Sequence, residues 1–411
     1  MDHDRDIQNT RNNYVDVIKL YGSSEKIIKK QLDIVTVFSK DIGMQFGESK
    51  CAYLQIQKGK NVTSNQPLVM NGLSLKPIEE GDCYRYLGQD ENISYVGEVN
   101  KKRVPKEYFT RLKKICSSEL CDFNKVIAHN CFANQVIIPT IGVLNWTVQD
   151  IKGIDIKTRK ILSMNGSFHP NSDIDRLYLQ RKDGGRGIKS VESLFESRTL
   201  SIRQHLLRNK SRNAILTYIC NKENNEIVRV GKEIVMKYEM VDNIEDAPKQ
   251  MSKRYFVKQR KDLEKRYTEK VMHGYFKRKL ENNEIIDLKS SLSRSIDKKV
   301  TSHFEGYLSA IHDQEIPTKF LINKRDKDSN IAPRCNNKCR LCKVHVEDVN
   351  HIISSCSDMS ARYYLPLRHD AVGKAVYKAH VCKNSPGVRF KAQEELEFIY
   401  MSNEFEYSQC A

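Results

Sequence analysis

The hydrophobic positions near the start of the chain follow the period of an α-helix. Residues 24–42 carry apolar side chains at helical spacing, with Ser24 as a capping candidate before them and Gly43 as a stop signal after them. This pattern predicts an amphipathic helix with one face toward a core. The stripe consists of Ile27, Ile28, Leu32, Val35, Phe38 and Ile42.

The next segment changes to the period of a β-strand. Residues 51–57 alternate apolar and polar positions, and Gly59 follows them as a turn residue. This alternation predicts a half-buried strand, with residues 67–75 as a return strand and residues 83–88 as another. The beginning of the chain is therefore predicted to combine one helix with a few antiparallel strands.

From Lys101 onward the apolar positions return to helical spacing. They predict helices over residues 106–120, 124–138 and 148–164, with Pro139 ending the second because proline lacks an amide hydrogen. Together with the strands before them, these helices predict an α+β fold that is predominantly helical.

Two further segments are distinguished by composition. The glycines at 184, 185 and 187 predict a tight loop. Residues 245–300 are dominated by charged residues with sparse apolar positions, which predicts long solvated helices that link domains.

The bulk composition adds expectations about size and partner. A chain of 411 residues is long enough for two or three domains, and its net charge of +17 favours an acidic polymer, RNA or DNA, as the partner. No segment has the uninterrupted apolar length of a membrane span, and the first residues lack the apolar core of a secretory signal. We therefore expect an intracellular protein, nuclear or cytoplasmic, that does not bind membranes. The sequence predicts no oligomeric state.

The clearest chemical motif is a cluster of cysteine and histidine residues near the carboxyl end. Cys339, Cys342, His351 and Cys356 have the spacing C-x2-C-x8-H-x4-C. Two sulfurs two residues apart can hold one ion from a tight turn, and two more ligands complete a tetrahedron. This pattern predicts a structural zinc ion, because four protein ligands leave no position for an activating water.

Two residues compete for places in this ligand set. Cys335 is an alternative to Cys339, and His345 is an alternative to His351, although the spacing favours the set given above. Basic residues surround the motif, as expected if it contacts phosphates. They are Arg334, Lys338, Arg340 and Lys343.

The first residues suggest polymerase chemistry. Template-directed polymerases hold two metal ions with carboxylates from neighbouring strands. The run YVDVIKLYG resembles the Y-x-D-D hairpin of reverse transcriptases of LINE-type, non-LTR retrotransposons. Tyr14, Val15 and Asp16 match, and Val17 stands where the second aspartate belongs.

The resemblance continues over most of residues 14–380. IGMQFGESKCAYL resembles the next palm motif, including its lysine at Lys50, and CYRYLG resembles the primer-grip hairpin. Outside the zinc motif, the GGRG stretch around Arg186 is the strongest match. In this family the region around residues 100–200 is the thumb and the segment after it, which grip the template and primer duplex. The resemblance thus implies nucleic-acid contacts from Lys50 and Arg186. The positive charge of Arg340 and Lys343 beside the zinc motif predicts further contacts, and the basic run Lys157, Arg159 and Lys160 is predicted to face solvent or phosphate.

The chain departs from the family at the residues that catalyse polymerisation. The first catalytic carboxylate of the family lies upstream of the hairpin, and this chain begins after it. Asp16 is thus expected to be the single remnant of three metal-binding carboxylates, which cannot clamp two magnesium ions. We expect an inactive RNA-directed DNA polymerase fragment, with Mg²⁺ relevant only if an active polymerase is reconstituted.

The carboxyl end carries a second partial resemblance. Residues 368–370, Arg-His-Asp, are similar to a stretch that follows the zinc knuckle in retroelements with a restriction-enzyme-like endonuclease. The later acidic and lysine motif of that nuclease is missing, so we expect no DNA cleavage. His369 is expected to be a structural or partly exposed residue.

These expectations combine into a domain division and three functional hypotheses. The favoured hypothesis is a transposable-element fragment that binds nucleic acid without catalysis. The alternatives are part of an active polymerase completed by a longer reading frame, and a zinc-knuckle scaffold reused for protein interactions. The predicted regions are a partial palm (1–98), a thumb-like helical region (99–244), a charged helical linker (245–330), the zinc knuckle (331–360) and a truncated endonuclease-like start (361–411).

Overall fold

The chain forms two compact units, Met1–Ser309 and Ala310–Ala411. The computed structural model describes residues 12–14, 17–47, 50–62, 68–70, 73–79, 81–86, 88–91, 97–212, 214–221, 225–282, 300–333 and 335–359. The five-region division made from the sequence stays a prediction.

The first unit begins with a strand pair followed by a long helix. Strands β1 (Asn12–Tyr14) and β2 (Val17–Lys19) pair antiparallel, with Tyr14 opposite Val17. Asp16 lies between them, outside the described residues. Helix α1 (Glu25–Asp41) confirms the helix predicted over residues 24–42.

The strands that follow are short and form small sheets. The single strand predicted over residues 51–57 is wrong: β3 pairs parallel with β7, while β4 and β5 form a separate hairpin around Gly59. The order of the largest sheet is β3-β7-β6. The bounds are β3 (Ala52–Tyr53), β4 (Ile56–Gln57), β5 (Lys60–Asn61), β6 (Leu68–Met70), β7 (Leu73–Pro77), β8 (Tyr84–Tyr86) and β9 (Gln89–Glu91).

A small core joins α1 to this sheet. Leu32 of α1 and Leu75 of β7 are buried together and pack against Tyr53 and Leu68. Several other apolar residues of α1, such as Phe38, are exposed, so only part of the predicted stripe is buried.

The described remainder of the first unit is mainly helical. Helix α4 matches its predicted bounds, because Thr147 and Asp150 form a reciprocal capping box at its start. Helix α2 begins nine positions before the predicted residue 106 and contains Pro105, although proline removes one helical hydrogen bond. The bounds are α2 (Gly97–Cys116), α3 (Asp122–Ala128), α4 (Val148–Met164), α5 (Ile174–Tyr178), α6 (Val191–Asn209), α7 (Ala214–Asn221), α8 (Glu226–Lys237), α9 (Pro248–Glu269), α10 (Tyr275–Glu281) and α11 (Ser302–His312), and α11 ends three residues past the boundary at Ser309.

The main core lies between α2, α4 and the start of α6. Tyr108, Leu112, Ile151 and Leu177 are completely buried in it, and Trp146 is nearly so. The predicted helix over 124–138 is only partly found: α3 ends at Ala128, and the chain continues in tighter and wider helical turns.

Helix α9 is partly buried, whereas the charged segment was predicted to form solvated helices. Met251 and Tyr255 of α9 are fully buried against α6 and α8. The Tyr255 hydroxyl donates a 2.6 Å hydrogen bond to the buried carboxylate of Glu196. The buried face of α9 is difficult to recognise in the sequence, because only every third or fourth residue contacts the core and the residues between them are mostly charged.

The second unit contains helix α12 (Lys319–Asp328), a wide helical turn at His351–Ser355 and the short helix α13 (Ser357–Met359). With its small sheets and many helices, the described part of the chain confirms a predominantly helical α+β fold. Among the described helices, none is both long and apolar enough to cross a lipid bilayer.

Candidate metal centre and basic surface

Four ligand atoms converge in the second unit. The sulfurs of Cys339, Cys342 and Cys356 and a ring nitrogen of His351 all lie within 4.8 Å of one another. The two sulfurs of Cys339 and Cys356 are 4.0 Å apart, and Cys342 Sγ is 3.3 Å from His351 Nε2. These four residues can therefore hold a single metal ion.

The first two ligands stand on a tight turn. The Cys339 amide donates to the His345 carbonyl at 2.8 Å, and Lys338 pairs with Val346 as an antiparallel bridge. The Lys343 amide donates to the Cys339 carbonyl at 3.0 Å, and Lys343 has a φ of 57°. This left-handed residue closes the turn after Cys342, and the two cysteines, which are separated by two residues, direct their sulfurs toward the same cluster.

The last two ligands are held by a helical turn. The Asp348 carboxylate accepts a 2.7 Å hydrogen bond from the His351 amide at the start of this turn. The Cys356 amide donates to the His351 carbonyl at 2.7 Å, which closes the turn at its other end. The spacing x4 between these ligands thus corresponds to one wide helical turn that returns both side chains to the same point.

The two competing residues are outside the ligand set. Among the described residues, the cluster includes neither Cys335 nor His345. The Cys335 sulfur lies 3.5 Å from the side-chain oxygen of Asn323, and the His345 ring packs beside the His351 ring at a centroid distance of 5.4 Å. The structure therefore brings together the four residues that the spacing favoured.

The environment of the two turn cysteines acts on their thiols in opposite ways. The backbone amides of His345 and Val344 donate to the Cys342 sulfur and lower its pKa. Burial raises the pKa of Cys339, although the amides of Leu341 and Cys342 counteract it. Because a metal binds the thiolate, amides directed at the sulfur help the turn to release its protons.

A buried carboxylate connects the metal turn to helix α12. Glu347 accepts hydrogen bonds from the Lys319 amide at 3.0 Å and from the Arg340 amide at 2.8 Å. The Arg340 guanidinium lies 2.9 Å from the same carboxylate. Burial alone would raise the pKa of Glu347, but the Arg340 side chain and these amides lower it.

Arg340, which was predicted to contact phosphates, is engaged by Glu347 and by the Pro317 carbonyl at 3.2 Å. Its side chain is also half-exposed, so its contact with phosphates stays a prediction. Its main contacts hold the metal turn against the rest of the second unit. Lys343, the other predicted nucleic-acid residue of this turn, is exposed.

Arg186 is a correction to the sequence prediction. It was predicted to bind nucleic acid from the glycine loop, but it is only 2% exposed and its guanidinium lies 2.5 Å from Asp122. Arg181 contacts Asp122 at 2.6 Å and Glu305 at 2.7 Å. A buried guanidinium with these partners cannot reach a phosphate, so the glycine loop stabilises the first unit.

The remaining predicted basic residues are near or at the surface. On α4, Lys157 lies 4.5 Å from the centre of the Phe109 ring and Lys160 is exposed, while Arg159 donates a 2.9 Å hydrogen bond to the Tyr178 hydroxyl. Lys50 is exposed just before β3. The α4 residues border the main core, whereas Lys50 adjoins the small core under α1.

Some predicted residues fall outside the described ranges. They include Asp16, predicted to be a polymerase remnant, the basic residue Arg334, and residues 368–370, for which similarity to an endonuclease was predicted.

The sequence did not predict the buried carboxylates that pair with Arg340, Arg181 and Arg186. Glu347 lies between Cys342 and His351 in the chain, where a buried acid has no periodic or motif signature. The partners of Arg181 and Arg186 were also missed, because Asp122 and Glu305 are more than 55 residues away along the chain. Only the folded chain shows such pairs.

Comparisons with known proteins add no family. Neither the protein-family models nor the curated proteins match this chain. The functional interpretation therefore depends on the residues and their geometry.

Proposed function

We propose that this chain is a zinc-stabilised nucleic-acid-binding protein, a catalytically inactive portion of a LINE-type reverse transcriptase. The observation that carries the proposal is the convergence of Cys339, Cys342, His351 and Cys356 within 4.8 Å. Three thiols and one imidazole are a common donor set for structural zinc. The helical region after the strands would then correspond to the thumb, and the cluster to the zinc knuckle.

The donor geometry supports zinc over harder ions. Zinc bonds of about 2.3 Å to sulfur and about 2.0 Å to nitrogen place tetrahedral ligands roughly 3.5–3.8 Å apart. The sulfur–sulfur separation of 4.0 Å and the sulfur–nitrogen separation of 3.3 Å lie close to this range. Small side-chain movements would therefore complete a tetrahedral coordination sphere. Calcium and magnesium prefer oxygen ligands, and this cluster offers none.

The charge of the chain supports nucleic acid as the partner. The net charge of +17 exceeds what solubility requires, and Lys338 and Lys343 are exposed beside the cluster. Catalysis is not part of the proposal because Val17 stands where the hairpin needs a second metal-binding carboxylate.

Metal content tests the zinc part of the proposal. We expect about one zinc per chain in the purified protein, measured by mass spectrometry of the metal. Cys342→Ser should lose this zinc, whereas Cys335→Ser is a matched control that should keep it because Cys335 is outside the cluster. Equal zinc contents in the two variants would contradict the ligand assignment.

Salt dependence and primer extension test the remaining parts. Binding to RNA or DNA should weaken steeply from low to high salt and vary little with sequence. Affinity that is unchanged over this range would contradict phosphate binding. Incorporation of nucleotides by the isolated chain would overturn the assignment of inactivity.

A further inference from the structure

An open groove with a basic lining runs along helix α9. Its volume is about 940 Å³, and it lies where α9 packs against α6. Its lining combines positive charge with one aromatic ring and one exposed valine. The lining residues include Arg198, Lys249, Lys253, Phe256, Val257 and Lys261.

Most of the charge in this groove is available to a ligand. Two of its charged residues are already paired, Arg260 with Asp183 at 2.6 Å and Glu264 with Lys277 at 2.5 Å. The other four are exposed, and none forms a salt bridge with another residue in the described part of the chain. Four unpaired cations on one face attract a polyanion. They are Arg198, Lys249, Lys253 and Lys261.

The lysines form a line rather than a cluster. Lys249 and Lys253 are one helical turn apart, and Lys261 lies about two turns further on, so the three follow the groove along α9 while turning gradually about its axis. At 1.5 Å per residue they span about 18 Å along the helix axis. A line of cations of this length suits an extended chain of phosphates better than one compact anion.

The amino-terminal end of α9 adds positive charge to that of the lysines. Ala247, its N-cap residue, has no side-chain oxygen to accept hydrogen bonds from the first amides. The helix dipole therefore contributes partial positive charge close to Lys249.

The apolar part of the groove indicates which nucleic acid fits. Phe256 is half-buried, and its ring is fixed by an edge contact with Tyr255 at a centroid distance of 5.2 Å. Val257 beside it is 51% exposed. A fixed aromatic face beside a line of cations is the arrangement on which unpaired bases stack while the backbone follows the charges.

We infer that this groove binds single-stranded RNA or DNA, with phosphates along the α9 lysines and a base against Phe256. The inference rests on the proposed function and assigns a second binding surface to it, in the first unit. A duplex fits less well because its base faces are already stacked on one another.

The test uses the full chain and fluorescent oligo-uridylate and oligo-thymidylate of about 12 nucleotides, within the usual site sizes of single-strand binders. Lys249→Gln/Lys253→Gln should lower the slope of log affinity against log salt by about 1.4, since each phosphate contact contributes about 0.7. Lys258→Gln/Lys265→Gln is the matched control on the same helix, and it should leave the slope unchanged because neither residue lines the groove.

Phe256→Leu tests the stacking contact. This variant keeps an apolar side chain against the core, and its affinity for both oligonucleotides should fall about fivefold or more. Circular dichroism should show unchanged helix content. Thermal unfolding of all variants separates loss of binding from loss of folding.

Each outcome has a distinct meaning. If the unmodified chain binds no oligonucleotide, the proposed function fails. If it binds but the groove and control variants behave alike, the groove inference fails while the proposed function stands. Tighter binding of a duplex of equal length, or equal competition by polyglutamate at the same charge, would overturn the single-strand assignment.

Discussion

Replacing Asp122 by asparagine should destabilise the first unit strongly. Asp122 begins α3, is only 1% exposed, and lies 2.5 Å from Arg186 and 2.6 Å from Arg181. Glu305 is the second carboxylate of this group, so two acids balance two guanidinium groups. Asparagine has nearly the same volume, so the substitution removes the charge without opening a cavity.

The expected cost follows from the burial of the group. Removing one partner of a buried ion pair ordinarily costs about 3–5 kcal/mol, because the other charge stays buried without compensation. The burial that lowers the pKa of Arg186 is opposed by the charges of Asp122 and Glu305. In Asp122→Asn, one of these two compensating charges is lost.

An exposed ion pair in the same unit provides the control. Arg229 and Glu233 on α8 are 2.7 Å apart, but their side chains are 61% and 60% exposed. Glu233→Gln should therefore cost only about 0.3–0.5 kcal/mol, as is usual for exposed pairs one helical turn apart.

The chain offers a suitable probe for this comparison. Trp146 is the single tryptophan, and it is buried in the main core, where it donates a 2.9 Å hydrogen bond to Thr140. Its fluorescence during urea unfolding reports on the first unit. A midpoint shift for Asp122→Asn no larger than that for Glu233→Gln would refute the argument that burial sets the cost.

Three further predictions concern the same unit. Gly185→Ala should destabilise it by at least about 1–3 kcal/mol, because the new Cβ would lie 2.2 Å from the Leu179 carbonyl oxygen, whereas Gly153→Ala, with open space around it, should be neutral or stabilising in urea unfolding. Thr147→Ala should cost about 1 kcal/mol by removing the cap of α4, and an unchanged unfolding midpoint would contradict the role of this capping box. Burial lowers the pKa of His129 to about 4, so between about pH 6.5 and 4 the unfolded state binds a proton that the folded state does not. The free energy of unfolding should therefore fall by up to about 3 kcal/mol as the pH drops through this window, and His129→Gln should flatten this part of the curve.

The sequence by itself predicted the features that depend on residues close together in the chain. Helices α1 and α4 follow from apolar spacing and capping residues, and both are found close to their predicted bounds. The four ligand residues of the metal cluster also follow from spacing, because a turn and a helical turn bring them together over only 18 positions. Short-range geometry of this kind is fixed mainly by nearby residues.

Only the tertiary structure shows which basic residues are buried in ion pairs and which are exposed to a ligand. Arg186 and Lys253 are both cations in polar stretches, yet the first is buried against Asp122 and the second lines an open groove. Periodicity identifies which face of a helix is apolar, but it does not identify the distant carboxylate that pairs with a given arginine. Ion pairs between residues far apart in the chain depend on how the helices pack, and that packing separates the structural arginines of this protein from the cations available to a ligand.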